Sequence, residues 1–239
     1  MAIIIKMKGD NMLKNIEAVL FDLDGTLIDS MWLWKTIDIE YLKKFDIEFP
    51  DDFQDEIEGM SFTETAQFFK ERFNLPVEVD SIKQDWNEMA GEYYRNRVPL
   101  KECVQEFLEY LLKNEYKIGI GSSNSIELVG MIVDKFSLRG HFGSIRTSCE
   151  VNKGKPHPDI YLKVAQDLGV KPENCLVFED VPAGIMAAKN AGMKVCAIYD
   201  DFSKNIIDEI KALADYFIDG YTDILKIIED DNNEKVFAN

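Results

Sequence analysis

The apolar positions of this chain change their period twice. Ile16 to Phe21 is a short apolar run, with Ala18-Val19-Leu20-Phe21 unbroken, which predicts a buried strand. After Asp29-Ser30 the spacing becomes helical and stays so up to Pro99. Ile37, Tyr41, Leu42 and Phe45 fall on one stripe. Ser61-Phe62-Thr63-Glu64 reads as a capping box that opens a helix with Phe62, Ala66, Phe69 and Phe73 on one face. Ser81-Ile82-Lys83-Gln84 reads as another box, followed by Ile82, Trp86, Met89 and Tyr93. The simplest reading of these stripes is a helical core, not an aromatic ligand box. No strand pattern interrupts the block.

From Pro99 helix and strand alternate. Val104, Phe107, Leu108, Leu111 and Leu112 predict an amphipathic helix, and Lys117 to Gly121 a strand. Val129, Ile132, Val133 and Phe136 predict the next helix, and Ser144 to Thr147 a weak strand. Pro158 opens a helix that Gly169 closes. Cys175 to Phe178 and Val195 to Ile198 read as strands on either side of a helix from Pro182 to Ala191. A helix from Ser203 leads to Tyr216-Phe217-Ile218, and a last helix starts at Thr222. Repeated strand–helix units predict a Rossmann-like, doubly wound parallel α/β sheet covered on both faces. The expected organisation is a core over residues 12–30 and 99–230, an inserted all-helical subdomain over 31–98, and a flexible tail over 231–239. Ligands bind such sheets beyond the carboxyl ends of the strands. The insertion follows the first strand there, where it can act as a lid.

Composition narrows the partners. The net charge of −17 over 239 residues argues against nucleic acid and anionic membranes, which need a basic face. An acidic chain that binds phosphate needs a local cation. The four cysteines, Cys103, Cys149, Cys175 and Cys196, form no Cys-x-x-Cys pair and read as core thiols of a reducing compartment. No apolar run is long enough to span a bilayer, and Met1 to Met12 lacks a signal-peptide core, Met12 being a second plausible start. A cytoplasmic monomer is expected.

Four segments carry candidate chemistry. In Asp22-Leu23-Asp24-Gly25-Thr26 the two carboxylates leave the strand end two residues apart and face one volume. Two buried anions side by side require a metal ion, a shared proton, or both. A nucleophile beside a general acid/base fits that arrangement. Gly121-Ser122-Ser123-Asn124-Ser125 places hydroxyls and free N–H groups before a helix, which suits an anion, although such a run also serves as a plain N-cap. Lys153-Gly154-Lys155-Pro156-His157-Pro158-Asp159 is a stiff loop that can fix Lys155 against phosphate, with His157 a loop residue. Glu179-Asp180 ends another strand with the hard oxygen ligands that Mg2+ prefers.

In this order, from about Ile16 to Ile228, the four segments resemble the motifs of the haloacid dehalogenase-like hydrolase superfamily: Asp22-Leu23-Asp24-Gly25-Thr26, Ser122, Lys155 before Pro156, and Glu179-Asp180 before Val181-Pro182-Ala183-Gly184-Ile185. The insertion is similar to the family's helical (C1-type) cap. The resemblance implies Asp22 as a nucleophile forming an aspartyl-phosphate and Asp24 as the acid/base. It implies Ser122, Ser123 and Lys155 as phosphate contacts. It also implies Mg2+ held by Asp22, the Asp24 backbone carbonyl and Asp180, with Glu179 in or near the shell. The implied substrate is a small phosphorylated metabolite.

Asp24 argues for phosphate over carbon–halogen or phosphonate chemistry. The rival within the family is a β-phosphoglucomutase-like isomerase. That enzyme typically has a histidine where this chain has Trp34, and an arginine after the serine where the cap turn here reads Gly59-Met60-Ser61-Phe62. Both departures favour a phosphatase acting on a monophosphate, with an apolar or small alcohol portion touching Trp32, Trp34, Met60 and Phe62. A non-catalytic binding protein has no need of Asp24.

Overall fold

The computed structural model describes residues 12–50 and 53–228. The expected extension before Met12 and the tail over 231–239 lie outside the described residues. Six strands form one sheet: β1 (Ala18–Phe21), β2 (Lys117–Ser122), β3 (Ser144–Thr147), β4 (Cys175–Glu179), β5 (Lys194–Ile198) and β6 (Tyr216–Ile218). Their order is β3-β2-β1-β4-β5-β6, and every pairing is parallel. The order reverses direction at β1, the switch point where such sheets open a crevice. The sequence leads a helix towards Tyr216-Phe217-Ile218. The structure makes these three residues the edge strand β6, paired to Cys196, Ala197 and Ile198. So short a strand leaves no period of its own.

Successive side chains of β1 enter opposite cores. Val19 and Phe21 join one with α5 (Val104–Lys113) and α6 (Ile126–Lys135), where Phe21, Phe107, Phe178 and Tyr221 pack ring against ring. Ala18 and Leu20 join the other, under α7 (Asp159–Leu168), α8 (Pro182–Asn190) and α9 (Ile207–Leu213). Cys175 and Cys196 are buried thiols as expected, whereas Cys103 is half-buried and Cys149 exposed, and all four are free. No described helix is long and apolar enough to cross a membrane.

Between β1 and α5 come α1 (Met31–Lys43), α2 (Phe53–Ile57), α3 (Phe62–Arg72) and α4 (Val79–Asn96). The box at Ser61 forms: its Oγ accepts from the Glu64 N–H at 3.2 Å, and the Glu64 carboxylate accepts from the Ser61 N–H at 2.8 Å. The box at Ser81 does not. α4 starts one turn earlier, and the Ser81 N–H already donates to the Glu78 carbonyl at 3.0 Å. Val79 packs on the core, and that contact draws the helix start past the capping signal. The short α2 is anchored by Phe53 against Phe49, Phe69 and Phe73 and leaves no repeat to read.

Candidate active site

Strand register brings the four segments together. Phe21 is level with Ile120 on β2 and with Phe178 on β4. The next residues of each strand therefore emerge side by side: Asp22 after β1, Ser122 at the end of β2, Glu179 and Asp180 at the end of β4. Lys155 comes from the loop before α7 and is 5 % exposed.

Lys155 sits between two carboxylates. Its Nζ donates to Asp22 Oδ1 and to Glu179 Oε1, each at 2.6 Å. Glu179 Oε1 also accepts from the Tyr161 hydroxyl at 2.5 Å, and its other oxygen accepts from the Asp180 N–H at 3.1 Å. Asp180 Oδ1 accepts from Thr26 at 2.8 Å, while Oδ2 is buried with no partner. Asp22, Glu179 and Asp180 each offer an oxygen within 4.8 Å of the others. Burial raises the Asp22 carboxyl to about 7, although Lys155 opposes the shift. Burial, then Glu179 and Asp22, push Asp180 well above the ordinary carboxylate range. Lys155 loses affinity for its proton through burial but regains more from Asp22 and Glu179, so it stays charged. The ammonium of Lys155 thus pairs with two of the three carboxylates, and the orphaned Asp180 oxygen leaves room for a second cation. The donor set, all hard oxygen, fits a divalent ion of the Mg2+ type.

Two glycines permit this packing. Gly25 has φ +78°, and a Cβ there would lie 2.1 Å from Asp180 Oδ2. A Cβ on Gly184, in the first turn of α8, would lie 1.8 Å from Glu179 Oε1.

Asp24 stands in the same crevice with a different environment. Its Oδ1 accepts from Ser30 Oγ at 2.6 Å, from Trp34 Nε1 at 3.2 Å and from the Tyr94 hydroxyl. Its Oδ2 accepts from Asn124 Nδ2 at 2.8 Å, which also donates to the Tyr94 hydroxyl at 2.8 Å. All four partners are uncharged. Sequence reasoning missed this cradle. It placed Tyr93 on the buried stripe of α4, whereas the buried positions are Ile82, Trp86, Ala90, Gly91 and Tyr94. The polar use of Tyr94 depends on a residue seventy positions away, so nothing local signals it. In the sequence Asn124 is part of a run that also serves as a plain N-cap, and Ser30 marks only where the helical spacing begins.

The remaining expected residues line one cavity of about 520 Å3, together with Asp22 and Asp24: Ser122, Ser123, Trp34, Gly59, Met60 and Phe62. The insertion touches the core here, with the Phe62 N–H donating to the Ser123 carbonyl at 2.8 Å and Ser123 Oγ donating to the Gly59 carbonyl at 3.4 Å. Gly59 approaches so closely that a Cβ would meet the Lys155 carbonyl at 2.8 Å. Trp32 does not join them. It is 45 % exposed, packs edge-on against Tyr93 and donates to its own turn at Asp29, because it lies on the solvent side of α1. Trp34 is more than the apolar wall expected, since its indole N–H is spent on Asp24.

The model of the haloacid dehalogenase-like hydrolase family matches residues 19–198. A probable pseudouridine-5'-phosphatase of Drosophila melanogaster is 29% identical over 198 residues, covering 80% of this chain and 85% of that protein. Hexitol phosphatase B of Escherichia coli (strain K12) is 26% identical over 223 residues, covering 88% of this chain and 95% of that protein. The crystal structure of a β-phosphoglucomutase from Clostridium difficile shares the fold with a TM-score of 0.75 at 24% identity, covering 93% of this chain and 99% of that one. The chain belongs to the haloacid dehalogenase-like hydrolases. Its named relatives put it among the enzymes that hydrolyse phosphoric monoesters.

Proposed function

We propose that this protein is a Mg2+-dependent phosphatase that hydrolyses a small phosphate monoester through an aspartyl-phosphate on Asp22. The observation that carries this reading is the contrast between the two aspartates of one crevice. Asp22 is ion-paired to a buried lysine, and Asp24 is held by neutral donors. Asp22, Asp180 and the Asp24 backbone carbonyl would hold Mg2+, with Glu179 behind them keeping Lys155 in place. The ion would neutralise charge on the phosphoryl group, which phosphoryl transfer needs more than any other assistance.

The chain's own groups supply the rest. Asp22 attacks phosphorus while Lys155 and the Ser122 hydroxyl, with N–H groups near Ser123, hold the phosphoryl oxygens. Asp24 gives a proton to the leaving alcohol and then takes one from water, which cleaves the aspartyl-phosphate. The Ser30, Trp34, Tyr94 and Asn124 cradle keeps the Asp24 carboxyl aimed during both transfers. The insertion closes the crevice, and Trp34 and Phe62 stand where a bisphosphate mutase would place polar partners for a second phosphate.

Phosphate release from a panel of monoesters with Mg2+ tests this, with Asp22→Asn as control and hexose 1-phosphates followed for isomerisation. Wild type is expected to release phosphate and the variant to be slower by at least about a thousandfold. Isomerisation with little release would make the mutase reading correct instead.

A further inference from the structure

Asp38 lies one helical turn beyond Trp34 on α1, is 4 % exposed, and lines the same cavity as Asp22 and Asp24. No hydrogen bond or ion pair to its carboxylate occurs among the described residues. Trp86, in the same cavity wall, has an indole N–H with no partner, so it does not satisfy the carboxylate. Lys35 and Glu58 also line the cavity, yet burial alone accounts for the rise of the Asp38 carboxyl to about 7. A buried, unpartnered carboxyl group is destabilising, and proteins keep such groups where a ligand completes them. Asp38 comes from the inserted helix α1, one turn beyond the Trp34 that bonds Asp24, and not from a strand end, so it is a candidate contact for the alcohol portion of a substrate and not for its phosphoryl group.

We propose that Asp38 sets the substrate class of this phosphatase: it accepts hydrogen bonds from hydroxyl groups on the alcohol portion of the ester, so the enzyme selects uncharged polyhydroxylated monophosphates and rejects esters that carry a second anionic group. The proposal rests on the phosphatase reading above. It differs from the apolar or small alcohol portion expected to touch Trp32, Trp34, Met60 and Phe62. A site that hydrogen-bonds a substrate hydroxyl discriminates strongly against an analogue that lacks it, since the buried partner is then left unpaired. A carboxylate in the wall also acts by repulsion against a second phosphate or a carboxylate on the ligand.

The experiment compares kcat/KM of wild type, Asp38→Asn and Asp38→Leu, with Mg2+, for glucitol 6-phosphate, p-nitrophenyl phosphate and 2-phosphoglycolate. Asp38→Leu is expected to lose at least about tenfold on glucitol 6-phosphate while p-nitrophenyl phosphate stays within about threefold. Asp38→Asn is expected to raise relative activity on 2-phosphoglycolate. Both variants should melt no lower than wild type, because each removes an unpaired buried carboxyl. Equal losses on glucitol 6-phosphate and p-nitrophenyl phosphate, or no loss on either, would overturn the proposal. Absence of all hydrolysis by wild type overturns the phosphatase reading, and the contact is then read without turnover. Glucitol 6-phosphate is titrated calorimetrically into Asp22→Asn and into the Asp22→Asn, Asp38→Leu double variant, and equal affinities reject a role for Asp38.

Discussion

Asp22 and Asp24 are two residues apart and share one crevice, yet their partners divide them into different chemistries. Under the proposed mechanism Asp22 must be anionic to attack, and its ion pair to Lys155 favours that form against the burial that raises its carboxyl. Asp24 instead rests among hydroxyl, indole and amide donors, which orient a carboxyl without fixing its charge by a neighbouring cation. Tyr94 matters most among them, since it bonds both Asp24 and Asn124 and is fully buried. Tyr94→Phe keeps the ring packing against Trp34 but removes the hydroxyl. A lost hydrogen bond to a charged group costs about 1.5–3 kcal/mol. The expected result is a kcat lower by roughly ten- to a hundredfold with KM little changed, measured on whichever monoester is turned over best. A KM effect alone would mean that Tyr94 binds substrate and does not position Asp24.

Elements supply the precision that these contacts need. The N-terminus of α8 packs directly on Glu179, and Gly184 is the residue that lets it. Gly184→Ala puts a methyl group into the carboxylate, so α8 must shift or Glu179 must leave Lys155. We expect a Tm lower by several degrees and weaker phosphate release, read by thermal unfolding and by the same assay. Much at this level was readable from the chain. The period of the apolar positions, the Ser61 box, Pro158 and Gly169 around α7, and five of the six strands lie where local rules put them. What was not readable depended on distant partners. β6 exists because β5 offers it an edge, α2 because Phe53 finds a ring pocket, and α4 begins early because Val79 finds the core.

Over the whole molecule the charge distribution would tie stability to a bound cation. The chain carries −17, and Asp22, Glu179 and Asp180 concentrate part of that charge around one lysine. Asp22 and Asp38 titrate near 7 in the fold, against 3.8 ordinarily. Between those values the folded state holds more protons than the unfolded chain. Metal-free protein should therefore lose stability as pH rises through that window, by up to about 1.4 kcal/mol per unit of pH and per group. On the proposed reading Mg2+ would bind only the folded crevice, so it should raise Tm and flatten the pH dependence. Asp180→Asn should abolish the Mg2+ response while Na+ at equal ionic strength leaves wild type unchanged. Thermal scans with and without Mg2+ at pH 5 and pH 8 check this. A Tm that rises from pH 5 to pH 8 without metal would contradict it.

The chain's order of residues was enough for the α/β class, the inserted helices, and the residues gathered at the strand ends. Alternation and helical period are local, and parallel strands in register deliver their following residues to one edge wherever they come from in the chain. Folding alone decided which neighbours those residues meet. The neutral cradle of Asp24, the orphaned oxygen of Asp180 and the unpartnered carboxyl of Asp38 each depend on groups brought from other elements, on burial, or on both. Burial sets the cost of a charge and proximity sets its partners, and neither quantity exists until the chain is packed.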